Sequence, residues 1–410
     1  MPSPDLSREL ETRAKRARGK EPRHGMDVDP NSYRSQAPPH TDVNLGEFTP
    51  QRREAFLRAG IDPSGEQRAG TYVQIDHSVV HRSVNVADVD VMTIEQALAT
   101  YPWVRERYWW QAMAVDGDRY TAEVALNPHH GYFLRAKPGV TCTFPLQACL
   151  FMGQDGLVQN VHNIIVAEEG SELNVITGCA VDMNVRRGLH IGVSEIYVQR
   201  GAKLSFTMIH NWAEDVVVRP RTTVIVDEGG VFLSNYVSLQ PVRDVQMYPT
   251  ARLVGKGAIA RFNTIILAPP GSHLDIGARV LLEGSQSRAE VISRAVSTGG
   301  TIIARGHLRG DAPGIVAHLE CDGLMLNDEG CIRAVPELEG HIADMEMSHE
   351  AAVGKIARAE IEYLRARGLT EAEATAAIVR GFLNVDILGL PKELAAEIDR
   401  VISSMGASLF

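Results

Sequence analysis

A chain of 410 residues, 44% hydrophobic and 22% charged, is too long for one compact core and has the composition of a globular protein. Its 41 basic residues are outnumbered by 51 acidic ones, and a net charge of −10 argues against the basic face that nucleic-acid binding needs. There is no apolar run of the roughly 18 residues that a bilayer-spanning helix requires and no apolar N-terminal signal, so the sequence predicts a cytoplasmic protein without membrane association.

The first residues are locally basic (Arg13, Lys15, Arg16, Arg18, Lys20, Arg23), which predicts a solvated, frayed arm within a mixed α/β N-terminal region spanning 1–130. FTPQRREAFLRAG (48–60) predicts a short helix, with Thr49 as N-cap, Pro50 in the first turn and Gly60 just past the end. TYVQIDHSVV (71–80) and GYFLRAKPGV (131–140) have strand chemistry. Between them, Ile94, Leu98, Tyr101, Trp109 and Met113 predict one aromatic-rich helix from Thr93 to about Ala114.

The middle of the chain repeats. β-rich runs meet a glycine and are followed by another β-rich run, as in IIVAEEGSELNVI, IYVQRGAKLSFTM and VIVDEGGVFLSNYV. The marker glycines, Gly170, Gly201, Gly229, Gly257, Gly271 and Gly299, are spaced by 31, 28, 28, 14 and 28 residues. The single gap of 14 points to an underlying unit of half the usual length. One strand–turn–strand unit cannot bury its own apolar face, so such units stack. The expected architecture is mainly β: a parallel β-helix core over 131–343, with a two-sheet sandwich as the competing arrangement.

Near residue 345 the period changes, and 344–410 is expected to be a small helical domain. KIARAEIEYLRARG ends at Gly368; Thr370 and Glu373 form a capping box for the next helix; Leu394, Ile398 and Val401 line one stripe of a third, KELAAEIDRVISSM. Such helices offer a docking surface or pack on the solenoid itself.

Five cysteines (Cys142, Cys149, Cys179, Cys321, Cys331) form no CxxC pair and read as free thiols. Cys179, beside Gly178 in VITGCA, is a reactive thiol or simply a buried small apolar residue. Cys321 lies between Glu320 and Asp322; these carboxylates disfavour a plain thiolate, whereas a bound cation would hold it deprotonated. In MSHEAAVGKI (347–356), Ser348 reads as a helix N-cap and Glu350 suits the first turn, but capping leaves the imidazole of His349 unexplained unless it is a ligand. His162, His210 and His273 sit beside repeat turns or strands, and His129-His130 is an unusual pair before one. The absence of a phosphate-binding GxxxxGK[ST] loop argues that the chain does not itself hydrolyse ATP.

VQNVHNIIVAEEGSELNVITGCA (158–180), LHIGVSEIYVQRGAKLSFTMIHNW (189–212), HLECDGLML (318–326) and SHEAAVGKIARAEIEYLRARGLTEAEATAAIVRGF (348–382) resemble the SufB/SufD family, scaffold proteins of SUF-type iron–sulfur cluster assembly, and within it the short archaeal-type SufB. The resemblance implies a right-handed parallel β-helix with a C-terminal helical domain. It also implies pairing through the β-helices, as a homodimer or with a SufD-like paralogue, and a SufC-like ABC ATPase held by the C-terminal helices. It assigns Cys179 as the persulfide-receiving sulfur acceptor, and Cys321, His349, Glu350 and Glu320 as ligands of a nascent Fe–S cluster at the dimer interface. It places Lys355, Ile361, Tyr363, Leu364, Ile378 and Phe382 on the ATPase-docking surface, and Fe–S apoproteins as the recipients. Two departures concern the internal sulfur route: Met247 stands in place of a family lysine, and His210-Asn211-Trp212 stands where many SufB proteins have Gln-Asn-Trp. A β-helix polysaccharide-active enzyme and a purely structural β-helix protein are the alternatives from other classes.

Overall fold

Backbone N–H and C=O groups of a strand need partners on both sides, and this chain satisfies them by laying each strand in register on the one a full coil earlier. The computed structural model describes residues 4–383 and shows a β-solenoid of about eight turns. Its two walls are a ten-stranded and an eleven-stranded sheet, and from Leu146–Met152 to Cys331–Gly340 each first-wall strand is followed by one or two second-wall strands. All the marker glycines have positive φ, from 62° at Gly229 to 133° at Gly299, which a residue without Cβ adopts at little cost. Gly170, Gly201, Gly229 and Gly257 precede first-wall strands, whereas Gly271 and Gly299 precede second-wall strands. The longer gaps are therefore whole coils, and the 14-residue gap is the half coil where the marker changes wall.

Alternate side chains of each strand point into the coil. Phe206, Phe232 and Leu319 from the first wall and Ile165, Ile276 and Leu308 from the second share one interior core. Fully burying each such side chain is worth about 1.5–3 kcal/mol. The outer faces are covered as well. On the first wall, Ile176, Ile209, Val237 and Ile265 pack with Phe56 of helix α1 (Pro50–Arg58, numbered from the first helix after the basic arm) and Ile61 beyond it, and with Val379 and Leu383 near the described C-terminus. Thr49 caps α1 and Gly60 follows it at φ 79°, as expected.

Three readings change in the structure. The basic arm is a helix, Pro4–Ala17, whose Ala14 and Ala17 are buried in the cluster that holds Tyr120 and Val124. Arg13 pairs with Asp116 at 2.7 Å, so the arm is docked rather than frayed. The aromatic helix is two helices, α2 (Ile94–Thr100) and α3 (Pro102–Arg107), because the residue before a proline is pushed out of the α region; Tyr101 has φ −122° and ψ 92°. Finally, Met345–Gly354 is not the threshold of a helix but the last strand of the first wall, paired with Ile315–Met325. The solenoid thus runs past residue 343, and the next helix is Arg358–Arg365, followed by Gly368 at φ 98°. The capping box of the helix Glu371–Leu383 forms as expected: Thr370 N donates to Glu373 Oε2 (2.8 Å) and Glu373 N to Thr370 Oγ1 (3.2 Å). KELAAEIDRVISSM lies outside the described residues. Among the described residues no helix is long and apolar enough to cross a membrane.

The irregular loop after α3 is tied down by one buried carboxylate. Glu195 accepts from Trp110 N (2.6 Å), Ala112 N (2.7 Å) and Met113 N (3.0 Å), and its Oε1 lies 2.9 Å from His162 Nε2. Glu195→Ala leaves Trp110 N and Met113 N without this acceptor, at up to about 1–3 kcal/mol each, whereas Ala112 N keeps the Tyr197 hydroxyl. The expected outcome is a drop of several degrees in the thermal unfolding midpoint, with tryptophan fluorescence of the Trp109-Trp110 loop shifting before global unfolding.

Candidate functional site

Strand alternation decides which side of the wall each candidate faces. In Glu172–Val181, the side chains of Leu173, Val175 and Cys179 enter the interior core. Gly178 points outward, where the turn after α1 lies so close that a Cβ would come 2.4 Å from the Ala59 carbonyl oxygen. The close backbone approach beside Cys179 is therefore on the opposite face from its thiol. Cys179 is 1% exposed, and burial pushes its thiol up to about 12.

One coil on, the register partner of Cys179 is His210. His210 Nδ1 lies 2.9 Å from the Tyr236 hydroxyl, whereas its Nε2 has no hydrogen-bond partner among the described residues. The Trp212 ring lies 5.5 Å from His210 and 5.1 Å from His190, and Trp212 Nε1 is likewise unpartnered. His190 is anchored by Gln159 at 2.9 Å. Burial lowers His190 to about 3; burial, then neighbouring His190, takes His210 well below its ordinary value. Both imidazoles are neutral at physiological pH, as groups sealed from water should be. Sequence reading passed over His190 and Gln159 because nothing local marks them; only the coil brings His190 to His210 and Trp212.

Cys321 is also 1% exposed and faces the same interior, on the next inward line of the wall. Its line runs through consecutive coils as Thr177, Met208, Tyr236, Thr264, Ser293 and Cys321. An internal cavity of about 20 Å³, close to the volume of one water, touches Met208, Tyr236 and Thr264 of that line and Met247 opposite. The Cys321 thiol is raised to about 11, first by burial and then by Asp322 and Glu320. The carboxylates disfavour its thiolate, as their sequence neighbourhood predicted.

The last coil gathers the remaining candidates. Glu350 is the register partner of Glu320, and His349 of Leu319. Spacings that left these residues unconnected in sequence are thus one coil. Leu319 and Cys321 are interior, so His349 continues the inner face and Glu320 and Glu350 the outer one. The four proposed ligands are consequently split across the two faces of two adjacent strands. Among the described residues no three His, Cys, Asp or Glu side chains come together as a group that could hold a metal ion. Ser348 caps no helix here; its hydroxyl is hydrogen-bonded to His318 Nδ1 at 2.8 Å. On the outer face, Arg294 lies 3.6 Å from Glu320 and donates to the Phe382 carbonyl at 3.2 Å. Burial and Asp322 raise Glu320, with Arg294 opposing.

The first-wall sheet ends at Met345–Gly354, and the second-wall strand Cys331–Gly340 pairs on one side only. Both are exposed over most of their length, and Val353 is 44% exposed. Among the helical candidates, Tyr363 is 57% exposed beneath the Arg367 guanidinium, Ile361, Leu364 and Ile378 are half-buried, and Lys355 pairs with Asp328 at the surface. Phe382 instead packs with the cluster on the solenoid's outer face. The pair His129-His130 is divided: His129 stacks on His77 at 3.5 Å, and His130 binds Glu95 at 2.8 Å. His273 pairs with buried Asp244 at 2.9 Å.

The family model described as "SUF system FeS cluster assembly, SufBD core domain" matches residues 150–382. An "Iron-sulfur cluster assembly SufBD family protein" of Methanothermobacter thermautotrophicus (strain Delta H) is 47% identical over 97% of this chain and 98% of its own length. One of Archaeoglobus fulgidus with the same description is 49% identical over 85% and 94%, and one of Staphylococcus epidermidis is 28% identical over 92% and 83%.

Cys331 is exposed, whereas Cys142, Cys149, Cys179 and Cys321 are buried. With a thiol reagent at pH 8, the native protein should show one fast-reacting thiol, and Cys331→Ser should remove it. A second fast thiol surviving in that variant would contradict the burial of Cys179 and Cys321.

Proposed function

This chain belongs to the SufBD family of SUF-system iron–sulfur cluster assembly proteins, and from that premise we propose that it is a scaffold subunit on which a nascent Fe–S cluster is built where two copies meet. The observation that carries the reading is that Cys321, His349, Glu320 and Glu350 all stand on the last two strands of the first wall, at the solenoid's exposed end. A strand edge with unpaired backbone groups and exposed apolar side chains favours pairing with a second copy or a closely related chain. Two copies would supply the donors that one copy does not gather.

The cluster is cargo in this reading, and the residues are chosen for release as much as for capture. Iron at the end of the coil would offset the raised pKa of Cys321, because a coordinating cation holds a thiolate deprotonated. His349 adds a neutral nitrogen donor and Glu350 or Glu320 a carboxylate; this set is softer at one face and harder at the other. Mixed ligation of this kind holds a cluster less tightly than four thiolates, which suits transfer to Fe–S apoproteins. Cys179 is the sulfur acceptor, and the line from Thr177 to Cys321 beside the internal cavity is the path by which sulfur would move within the coil.

The chain is not itself an enzyme in this proposal. A SufC-like ABC ATPase docks on the helices after the last strand, through Lys355, Ile361, Tyr363 and Leu364 and the half-buried Ile378, with Phe382 on the inner side against the solenoid. Its closure would move those helices and so the open end. The assembly would work in the cytoplasm with neither nucleic acid nor membrane as partner.

Anaerobic reconstitution with iron and sulfide tests the site. Cys321→Ala and His349→Ala should each lower cluster absorbance by roughly tenfold, the usual scale for losing part of a metal shell, and unchanged absorbance in both would overturn the reading. Copurification with an ABC ATPase at measured stoichiometry tests the partner.

The dimer has its own check. Val353→Arg places a charge on the exposed apolar end and should shift the particle from dimer to monomer in light scattering. A Val353→Arg protein that stays dimeric would show that the copies pair elsewhere.

A further inference from the structure

Arg294 stands between two parts of the molecule, the helix Glu371–Leu383 and the last strands of the first wall. Its own strand, Arg288–Ser297, sends Val291 and Ala295 into the interior core, so Arg294 points to the outer face. One nitrogen, Nη1, donates to the Phe382 carbonyl in the last turn of the helix at 3.2 Å. Another, Nη2, lies 3.6 Å from Glu320 Oε1, close enough for an ion pair and too far for a hydrogen bond. The third, Nε, is sealed from water and has no hydrogen-bond partner among the described residues. A planar fork suited to gripping a carboxylate through two parallel hydrogen bonds is thus held just short of one.

Register and packing show what holds it there. Asp322 is the Cα partner of Arg294 on the next coil and is hydrogen-bonded to Glu320, so two carboxylates share the outer face with the guanidinium. The helix is seated through Ala376, Val379 and Leu383, which are buried with Ile265 and Val296 of the wall, and Leu324, from the strand that carries Glu320, packs against the same cluster. While the seat holds, the Phe382 carbonyl keeps Nη1, and Glu320 stays beside Glu350, its partner on the last strand. When the helix lifts, Nη1 loses its acceptor. A half-buried donor left unpaired is unfavourable, and the acceptors at hand are the two carboxylates.

We propose that Arg294 is a positioning residue that couples the seat of this helix to Glu320. With the helix down, it leaves the carboxylate free to serve as a ligand. With the helix up, it closes on Glu320 and withdraws it, which loosens the cargo for release. This rests on the reading of Glu320 as a cluster ligand and of the helices as the ATPase-docking surface, and adds the connecting residue and the direction of the coupling. A partner that pulls on the helix then triggers release without touching the cluster. Coupling between two sites is reciprocal, so a change at Glu320 is felt at the helix even when no cluster is bound.

Both readouts of the test use the full chain. In metal-free protein, hydrogen exchange of the amides of 371–383 reports the seat. Glu320→Gln removes the charge that competes for the guanidinium and should slow exchange in the last turn of the helix. Arg294→Met keeps the apolar stem, loses the donors and should speed it. In protein reconstituted anaerobically with iron and sulfide, loss of cluster absorbance to a chelator reports the cargo. Val379→Asn combined with Leu383→Asn unseats the helix without adding charge and should speed cluster loss about tenfold, within the roughly 5–150-fold range of one coupling. Arg294→Met alone should lose cluster at close to the wild-type rate, and adding it to the unseated protein should restore that rate. Equal loss from seated and unseated protein, or from unseated protein with and without Arg294, would overturn the role of Arg294. Equal exchange in wild type, Glu320→Gln and Arg294→Met would also overturn the coupling, while leaving Glu320 a ligand. A Glu320→Gln protein that keeps its cluster as long as wild type would overturn the reading of Glu320 as a ligand, and this inference with it.

Discussion

In-register parallel stacking is the constraint from which the rest of this molecule follows. A strand in the middle of a wall has hydrogen-bonding groups along both edges, and each is paired by the coil before or after it. Once the coil length is set, every side chain has a defined neighbour above and below. Cys179 meets His210, Ser293 meets Cys321 and Glu320 meets Glu350, although 28 to 31 residues separate the members of each pair. The same rule makes the end of the stack exceptional. The last strand of each wall has a free edge, and side chains that are interior elsewhere become accessible there.

Alternation along a strand then sorts the chemistry by face. Cys179, Cys321, His190 and His210 lie inside, where low polarity raises the thiols and lowers the imidazoles. Glu320 and Glu350 lie outside, where Arg294 opposes the burial and the Asp322 charge that raise Glu320. A residue pair adjacent in sequence, such as His349 and Glu350, is therefore a pair on opposite faces. This separation has a functional consequence: the inner face offers soft and nitrogen donors, the outer face hard oxygen donors, and the exposed end is where both are within reach of a neighbouring chain.

The coverings of the walls are built to be held rather than merely attached. The N-terminal helix reaches its seat through Ala14 and Ala17 and an Arg13–Asp116 ion pair, and the loop after α3 is fastened by Glu195. On the first wall the last described helix lies against Val237, Leu239 and Ile265, and Arg294 touches both its Phe382 carbonyl and Glu320. The helical region and the carboxylate at the open end are thus joined by one guanidinium, so displacement of one is felt by the other.

The sequence by itself determined the coil. Glycines at whole-coil and half-coil spacing, each needing positive φ, announced the stacked architecture, and the Thr370–Glu373 box and the Thr49–Pro50–Gly60 pattern marked helix ends through local hydrogen bonds and backbone preference alone. It also singled out Cys179, Cys321, His349 and Glu350, by chemistry and by resemblance. What it could not give was anything that depends on one coil lying upon another. Ser348 and Glu350 obey the local rules of a helix start, yet their backbone is held in a strand because Ile315–Met325 offers them a ladder of hydrogen bonds. The partners of Cys179, the inward direction of Cys321 and His349, and the outward direction of Glu320 and Glu350 were decided only by tertiary register, since a period-two strand has no inside or outside until a core forms on one of its faces.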